Sequence, residues 1–325
     1  MNTLVSLSDA ALLIASGRAL ALAGSTRALA ALPAGNWIGG TSYYFIGPDG
    51  GTKSDELVFV TDLSAFGAVT FARYGADEVA KITSEAPEHG FSFVLTPAGS
   101  ASLRAFAQRP YTDDLFLRPL LGWVAGVDLA DLRGGQAQVV DGRTRAIDSD
   151  ALVVAHVTLP PEKLASISII NPFEKSDAHT LEFDAAGFSA TECLVDGRRR
   201  RLAEFLVEAG HAHGRLPLVG DFSGAALNVS IQAVELVSGR VDFYAPVFPG
   251  VKYHLAQPLA DYEASFAAAI AARGPAPVAF SCNCILNYLY GNMESRRTGE
   301  ILGPVTFGEI GYQLLNQTLV ILDIV

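Results

Sequence analysis

Positive charge is scarce in this chain: 23 Lys and Arg stand against 34 Asp and Glu, a formal net charge of -11. That balance excludes the basic stripe which a nucleic-acid binder needs to displace counterions from phosphates. Cysteine is scarcer still. Three cysteines cannot build a disulfide framework, and the expectation is a reducing, cytoplasmic setting. Long clean apolar runs are missing as well. The N-terminal "MNTLVSLSDAALLIASGRALALAG" is interrupted by Asp9 and Arg18, with Arg27 just beyond it, and lacks a basic n-region, so it falls short of the ~20 apolar residues of a membrane span. Ser6 and Asp9 fit a capping box, which makes the stretch a first amphipathic helix and predicts no membrane insertion.

Several catalytic signatures are absent too. The turn "GGTSYYFIG" has neither the lysine of a phosphate-binding loop nor the full spacing of a dinucleotide fingerprint, and no Gly-x-Ser-x-Gly elbow occurs. No cofactor is expected.

What remains is half apolar and 18% charged, enough to build a large core, with length suited to two domains. Hydrophobic periodicity switches repeatedly between helix and strand. Strands are predicted at "ELVFVT", "AVTFARY" and "FSFVLT", with helices over "GADEVAKITSEA" and "SASLRAFAQ". Pro160 and Pro161 read as a stiff connection, dividing the chain into 1–160 and 161–325. In the second half, "RRRRLAEFLVEAG" reads as a helix opened by four arginines, either a solvated face or an anion patch. "ALNVSIQAVEL" and "VDFYAPV" read as a hairpin around Ser238 and Gly239, and "ADYEASFAAAIAARG" as a helix with Tyr262, Phe266 and Ile270 on one face. The recurrence among "RPLLGWVAG", "LPLVGDFSG" and "GPVTFGEIG" fits a repeated structural unit, or chance in a chain with 31 glycines. The fold class expected is α+β: two related halves, each with mixed or antiparallel sheets flanked by helices in a layered sandwich.

Chemistry concentrates near the C-terminus. In "VAFSCNCILNYLYGN", Cys282 and Cys284 fall where a strand gives way to a helix, a junction at which free backbone N–H groups and the helix dipole favour ligands. They are nucleophile, ligand-contacting groups or small buried filler; no ordered set of metal ligands accompanies them. Asn283 is either the cap of that helix or a polar lining group, and Asn287 lies one turn beyond Cys284, so both could face one pocket. His211 and His213 in "HAH" are surface histidines or two metal ligands. In "GPVTFGEIGYQLLNQT", Glu309 follows Gly308 and is either a solvated turn glutamate or a ligand group, where backbone can approach closely and the carboxylate can receive an ammonium group. Asn316 and Thr318 alternate at the entry to the last strand, as turn formers or pocket donors.

The ending "FSCNCILNYLYGN" followed by "GPVTFGEIGYQLLNQTLVIL" resembles the C-terminal region of FIST domain proteins. "NWIGGTSYYFIGPDGG" and "RPLLGWVAGVDLADLRGGQAQVVDG" are similar to pieces of the N-terminal FIST region. The resemblance implies a bacterial sensory module for signal transduction that binds a small molecule such as an amino acid and acts, free-standing, through a signalling protein partner. It points to Cys282, Asn283, Gly308, Glu309, Asn316 and Thr318. A cysteine-dependent hydrolase or transferase using Cys282 or Cys284 is the alternative.

Overall fold

The computed structural model describes residues 2–109, 117–222, 224–274, 278–296 and 301–325. It is an α+β protein with seven α-helices among the described residues and mostly antiparallel sheets. No helix among those residues is long and apolar enough to cross a membrane.

The chain forms two compact units. The first comprises Met1–Ile169, Pro275–Gln313 and Leu319–Val325, and the second Ile170–Gly274 with Leu314–Thr318. The division expected at 160/161 lies close to the first crossing. A simple halving fails because the C-terminal strands pair with strands from the first hundred residues, and backbone pairing outweighs sequence proximity.

Three sheets build the first unit. One runs Asn2–Val5, Val58–Asp62, Leu20–Gly24, Trp37–Thr41, Val139–Asp141, Ala146–Asp148. Its parallel pair, Leu20–Gly24 with Trp37–Thr41, is joined through the helix Thr26–Ala31, capped by Ser25. Ala10 and Ile14 of the helix Leu7–Ala15 pack with Leu20, Leu22, Trp37 and Val58 of this sheet and with Leu29 of the helix Thr26–Ala31. Ser6 caps that first helix as its sequence suggests, accepting from the Asp9 N–H at 3.2 Å.

A second sheet places Glu309–Gly311, Leu120–Ala125, Gly90–Pro97, Leu152–Thr158 and Ala68–Tyr74 in that order. Val94, Leu120, Leu152, Val154 and Ile310 bury one face beneath Ile82 and Phe106, the latter from the helix Ala101–Ala107. The helix expected over "GADEVAKITSEA" is a 3-10 turn, Ala76–Glu78, and a short helix, Lys81–Ser84. The third sheet runs Ala165–Ile170, Leu319–Ile324, Phe280–Cys284, Gly303–Thr306, Tyr44–Gly47, Gly50–Lys53. Phe280 from the third sheet stacks on Trp123 of the second at 5.8 Å and meets the edge of Phe93 at 4.7 Å. This aromatic contact welds the two sheets.

The second unit holds a six-stranded sheet and a three-stranded one, with Phe183 packed between Tyr253 and Phe243. Here two sequence expectations give way. The arginines are not the start of a helix: Arg198–Arg201 is a strand paired with Glu192–Val195, and the helix is Leu202–Glu208. The physical reason is Asp196-Gly197, both at positive φ (51° and 77°), the two-residue loop that favours a hairpin. Arg199, Arg200 and Arg201 each meet acidic neighbours, Asp184, Glu208 and Glu204 among them. The predicted single strand "ALNVSIQAVEL" is divided at Ser230. Ala225–Val229 pairs with Leu218–Phe222, while Ile231–Val234 forms the expected hairpin with Val241–Val247. Tyr262–Ala272 is helical as read, with Phe266 buried.

Candidate functional site

The strand Phe280–Cys284 is buried along its whole length, lying antiparallel to Leu319–Ile324 and parallel to Gly303–Thr306. Alternation along a strand sends odd and even residues to opposite faces. Phe280 and Cys282 therefore turn toward the second sheet, and Cys282 Sγ–H donates to the Gly122 carbonyl at 3.3 Å. Gly122 stands opposite Ile310, and its neighbour Trp123 stands opposite Glu309. The segments around 282 and 309, far apart in sequence, meet on this strand pair.

Glu309 has no solvent exposure. Its carboxylate is close enough to Cys282 to act on the thiol. Burial first, then the Glu309 charge and Cys284, push the Cys282 thiol well above its ordinary value. Cys282 is thus a neutral hydrogen-bond donor at neutral pH, not a thiolate. Directly opposite residues in an antiparallel pair project to the same face with Cβ atoms about 5 Å apart, so the Glu309 and Trp123 side chains leave their strands on one face. The Trp123 Nε1–H is buried and has no hydrogen-bond partner. The Gly308 carbonyl, next to Glu309, accepts from the Val124 N–H at 2.9 Å and the Thr306 hydroxyl at 3.0 Å, pinning the turn.

Asn283 points the other way. Its side-chain amide donates to Met293 Sδ at 3.7 Å, and Asn287 Nδ2 donates to Asn283 Oδ1 at 2.8 Å. The helix Ile285–Tyr290 begins at Cys284, so Asn283 belongs to the strand and does not cap the helix. Asn287 is joined to Asn283 by that bond. Asn316 and Thr318 lie in the second unit, both buried, on either side of Gln317. Gln317 accepts from the Ser230 hydroxyl at 2.7 Å and donates to the Arg215 carbonyl at 3.0 Å. The sequence-predicted residues thus form three groups: Cys282 with Gly308 and Glu309, Asn283 with Asn287, and Asn316 with Thr318.

Sequence reasoning passed over Trp123, Gly122 and Gln317. A signal for Gly122 existed, because a glycine inside an apolar strand marks a close backbone approach. Nothing local singles out Trp123.

His211 and His213 both hydrogen-bond to backbone groups. His211 sits against the Ala209 and Ala256 carbonyls, and His213 Nδ1 accepts from the Arg215 N–H at 3.0 Å. Among the described residues, no group of three or more His, Cys, Asp or Glu side chains is placed to hold a metal ion.

Residues 5–325 match the model of a family described as "Family of unknown function (DUF6976)". The chain belongs to that family. No curated protein matches it. The match takes in both units, so Trp123, Cys282 and Glu309 all lie within the part of the chain that defines membership.

Proposed function

We propose that this DUF6976 protein is a small-molecule-binding sensory module, with Glu309 and Trp123 as the groups that recognise its ligand. The carrying observation is a wholly buried Glu309 whose strand partner, Trp123, holds a buried indole N–H that has no hydrogen-bond partner among the described residues. Buried ionisable groups cluster at functional sites. A carboxylate beside a hydrogen-bond donor is the complement of an amino acid: Glu309 receives the ammonium, and Trp123 donates to the carboxylate. Cys282, held as a thiol, backs the pair as a packing and donor group.

The resemblance of the C-terminal segment to FIST domain proteins supports the same reading. The module works in the cytoplasm, and ligand binding is passed to a signalling protein partner.

A thermal-shift panel of amino acids and related amines tests the reading, run on the wild type, Glu309→Gln and Trp123→Phe. At least one compound is expected to stabilise the wild type by about 2–3 kcal/mol at a hundredfold excess over its Kd. Trp123→Phe keeps an aromatic ring but removes the N–H, and should lose most of that response. A folded wild type that responds to no member of the panel defeats the proposal.

A further inference from the structure

We propose that Arg109, Arg118 and Thr83 form a binding site for a phosphate-class oxyanion, separate from the Glu309 site. Two guanidinium groups converge on one threonine. Arg109 Nη1–H donates to the Thr83 hydroxyl at 3.3 Å, and Arg118 Nη1–H donates to the Thr83 carbonyl at 3.0 Å and to the Ala86 carbonyl at 2.9 Å. Like charges brought together normally repel, and a stable fold brings an acidic group to them. Neither arginine takes part in an ion pair among the described residues, although Arg18, Arg73, Arg143 and Arg199 do.

Part of the arrangement is structural. Arg109 Nε–H donates to the Phe106 carbonyl at 3.1 Å, closing the end of the helix Ala101–Ala107, and its guanidinium lies 4.1 Å over the Phe106 ring. Those contacts engage Nε and the π-face, and Thr83 engages Nη1. Nη2 is left buried with no hydrogen-bond partner. A buried guanidinium nitrogen without an acceptor is costly, and an arriving anion removes that cost. Burial depresses the Arg109 pKa to about 10, still leaving it charged at neutral pH.

The donor count selects the ligand. Arg109 Nη2, the nitrogens of Arg118 other than Nη1, and the Thr83 hydroxyl are all donors, because that hydroxyl accepts from Arg109 and keeps its own proton to give. A carboxylate offers two oxygens in one plane. A phosphate offers three or more in a tetrahedron and takes forked contacts from two arginines, the geometry for which arginine surpasses lysine. The phosphate belongs either to a free inorganic ion or to an organic phosphomonoester.

Isothermal titration calorimetry of the whole protein tests the site, using inorganic phosphate, methyl phosphate and succinate at constant ionic strength. Saturable heats are expected for phosphate, with affinity weakened about tenfold or more in Arg109→Gln and in Thr83→Val. Arg200→Gln, at a half-buried arginine already paired with Glu208, should bind as the wild type. Thr83→Val keeps the test decisive if Arg109→Gln fails to fold, since it leaves the helix-closing contacts of Arg109 in place. Stronger heats with methyl phosphate identify the monoester, and stronger heats with inorganic phosphate the free ion. No saturable heat in the wild type, equal affinity for succinate, or binding unchanged in both variants overturns the proposal.

Discussion

The Cys282 thiol donates to the Gly122 carbonyl across 160 residues of chain, and that bond lies beside the pairing of Glu309 with Trp123. It ties the third sheet of the first unit to the second at the place where a buried carboxylate is held. Its consequences can be measured.

Gly122→Ala should be severely destabilising. Gly122 has φ +148°, and a Cβ there would fall 1.9 Å from the Val94 carbonyl oxygen, so neighbouring strands would have to part. A loss of about 3 kcal/mol or more is expected in urea unfolding, from backbone strain and overpacking together. A loss below about 1 kcal/mol would show that the strand pair adjusts freely.

Gly197→Ala makes the contrast. Gly197 has φ +77° with open space around it, so only the left-handed conformation is penalised. The cost should be about 1–2 kcal/mol, with the Glu192–Val195 hairpin retained. A loss as large as that for Gly122→Ala would contradict this separation of strain from clash.

Cys282 should resist iodoacetamide in the native protein at neutral pH. Burial and the nearby Glu309 charge hold it protonated, and only the thiolate is nucleophilic. Mass spectrometry of labelled protein should find Cys282 modified at the rate of global unfolding. Fast, pH-sensitive labelling of native Cys282 would instead favour a nucleophilic cysteine enzyme.

His156 should add a slope to the stability curve at mildly acidic pH. Tyr74 donates its one hydroxyl proton to Glu85 at 2.8 Å, so His156 Nε2 carries the hydrogen facing Tyr74, and Nδ1 accepts from Ser92 at 2.9 Å. Burial lowers the His156 pKa, and Glu85 opposes this more weakly. The folded state therefore binds a proton less readily than the unfolded chain. Stability is full above the unfolded value of about 6.5 and declines as pH falls below it. His213, lowered by burial, His211 and Arg215, contributes in the same direction. Urea unfolding between pH 7 and 5 should show a shallower decline in His156→Asn than in the wild type, and the shallowest in the double variant with His213→Asn. Asp128, Asp141 and Asp148, all lowered, act at more acidic pH, so an unchanged slope would discard the assignment to histidine.

Phe280→Ala should cost about 3–5 kcal/mol, because the ring joins Trp123 and Phe93 across two sheets. Near-ultraviolet circular dichroism should lose tryptophan signal in the same variant. A small cost with intact signal would mean that the sheets are held together elsewhere.

Local patterns were legible where the physics is local. Ser6 marks its cap, and the alternation in "FSFVLT" marks a strand whose odd residues, Phe91, Phe93 and Leu95, are all buried. "ADYEASFAAAIAARG" forms its helix from helix-favouring residues and a capping aspartate. The arginine run misled because its composition hid the turn signal in Asp196-Gly197, two residues upstream of the charge. Asn283 misled for a related reason: strand pairing with Val305 and Leu319 carries one residue further than a capping asparagine would allow.

By itself, the amino-acid sequence determined many of the element types, the excess of acidic charge and the concentration of candidate chemistry near Cys282 and Glu309. Which residues share a face was decided only by the tertiary structure. A strand's hydrogen-bonding groups do not encode their partner, so the pairing of Glu309 with Trp123, the approach of Cys282 to Gly122 and the meeting of Arg109 with Arg118 at Thr83 all depend on register and packing between distant segments.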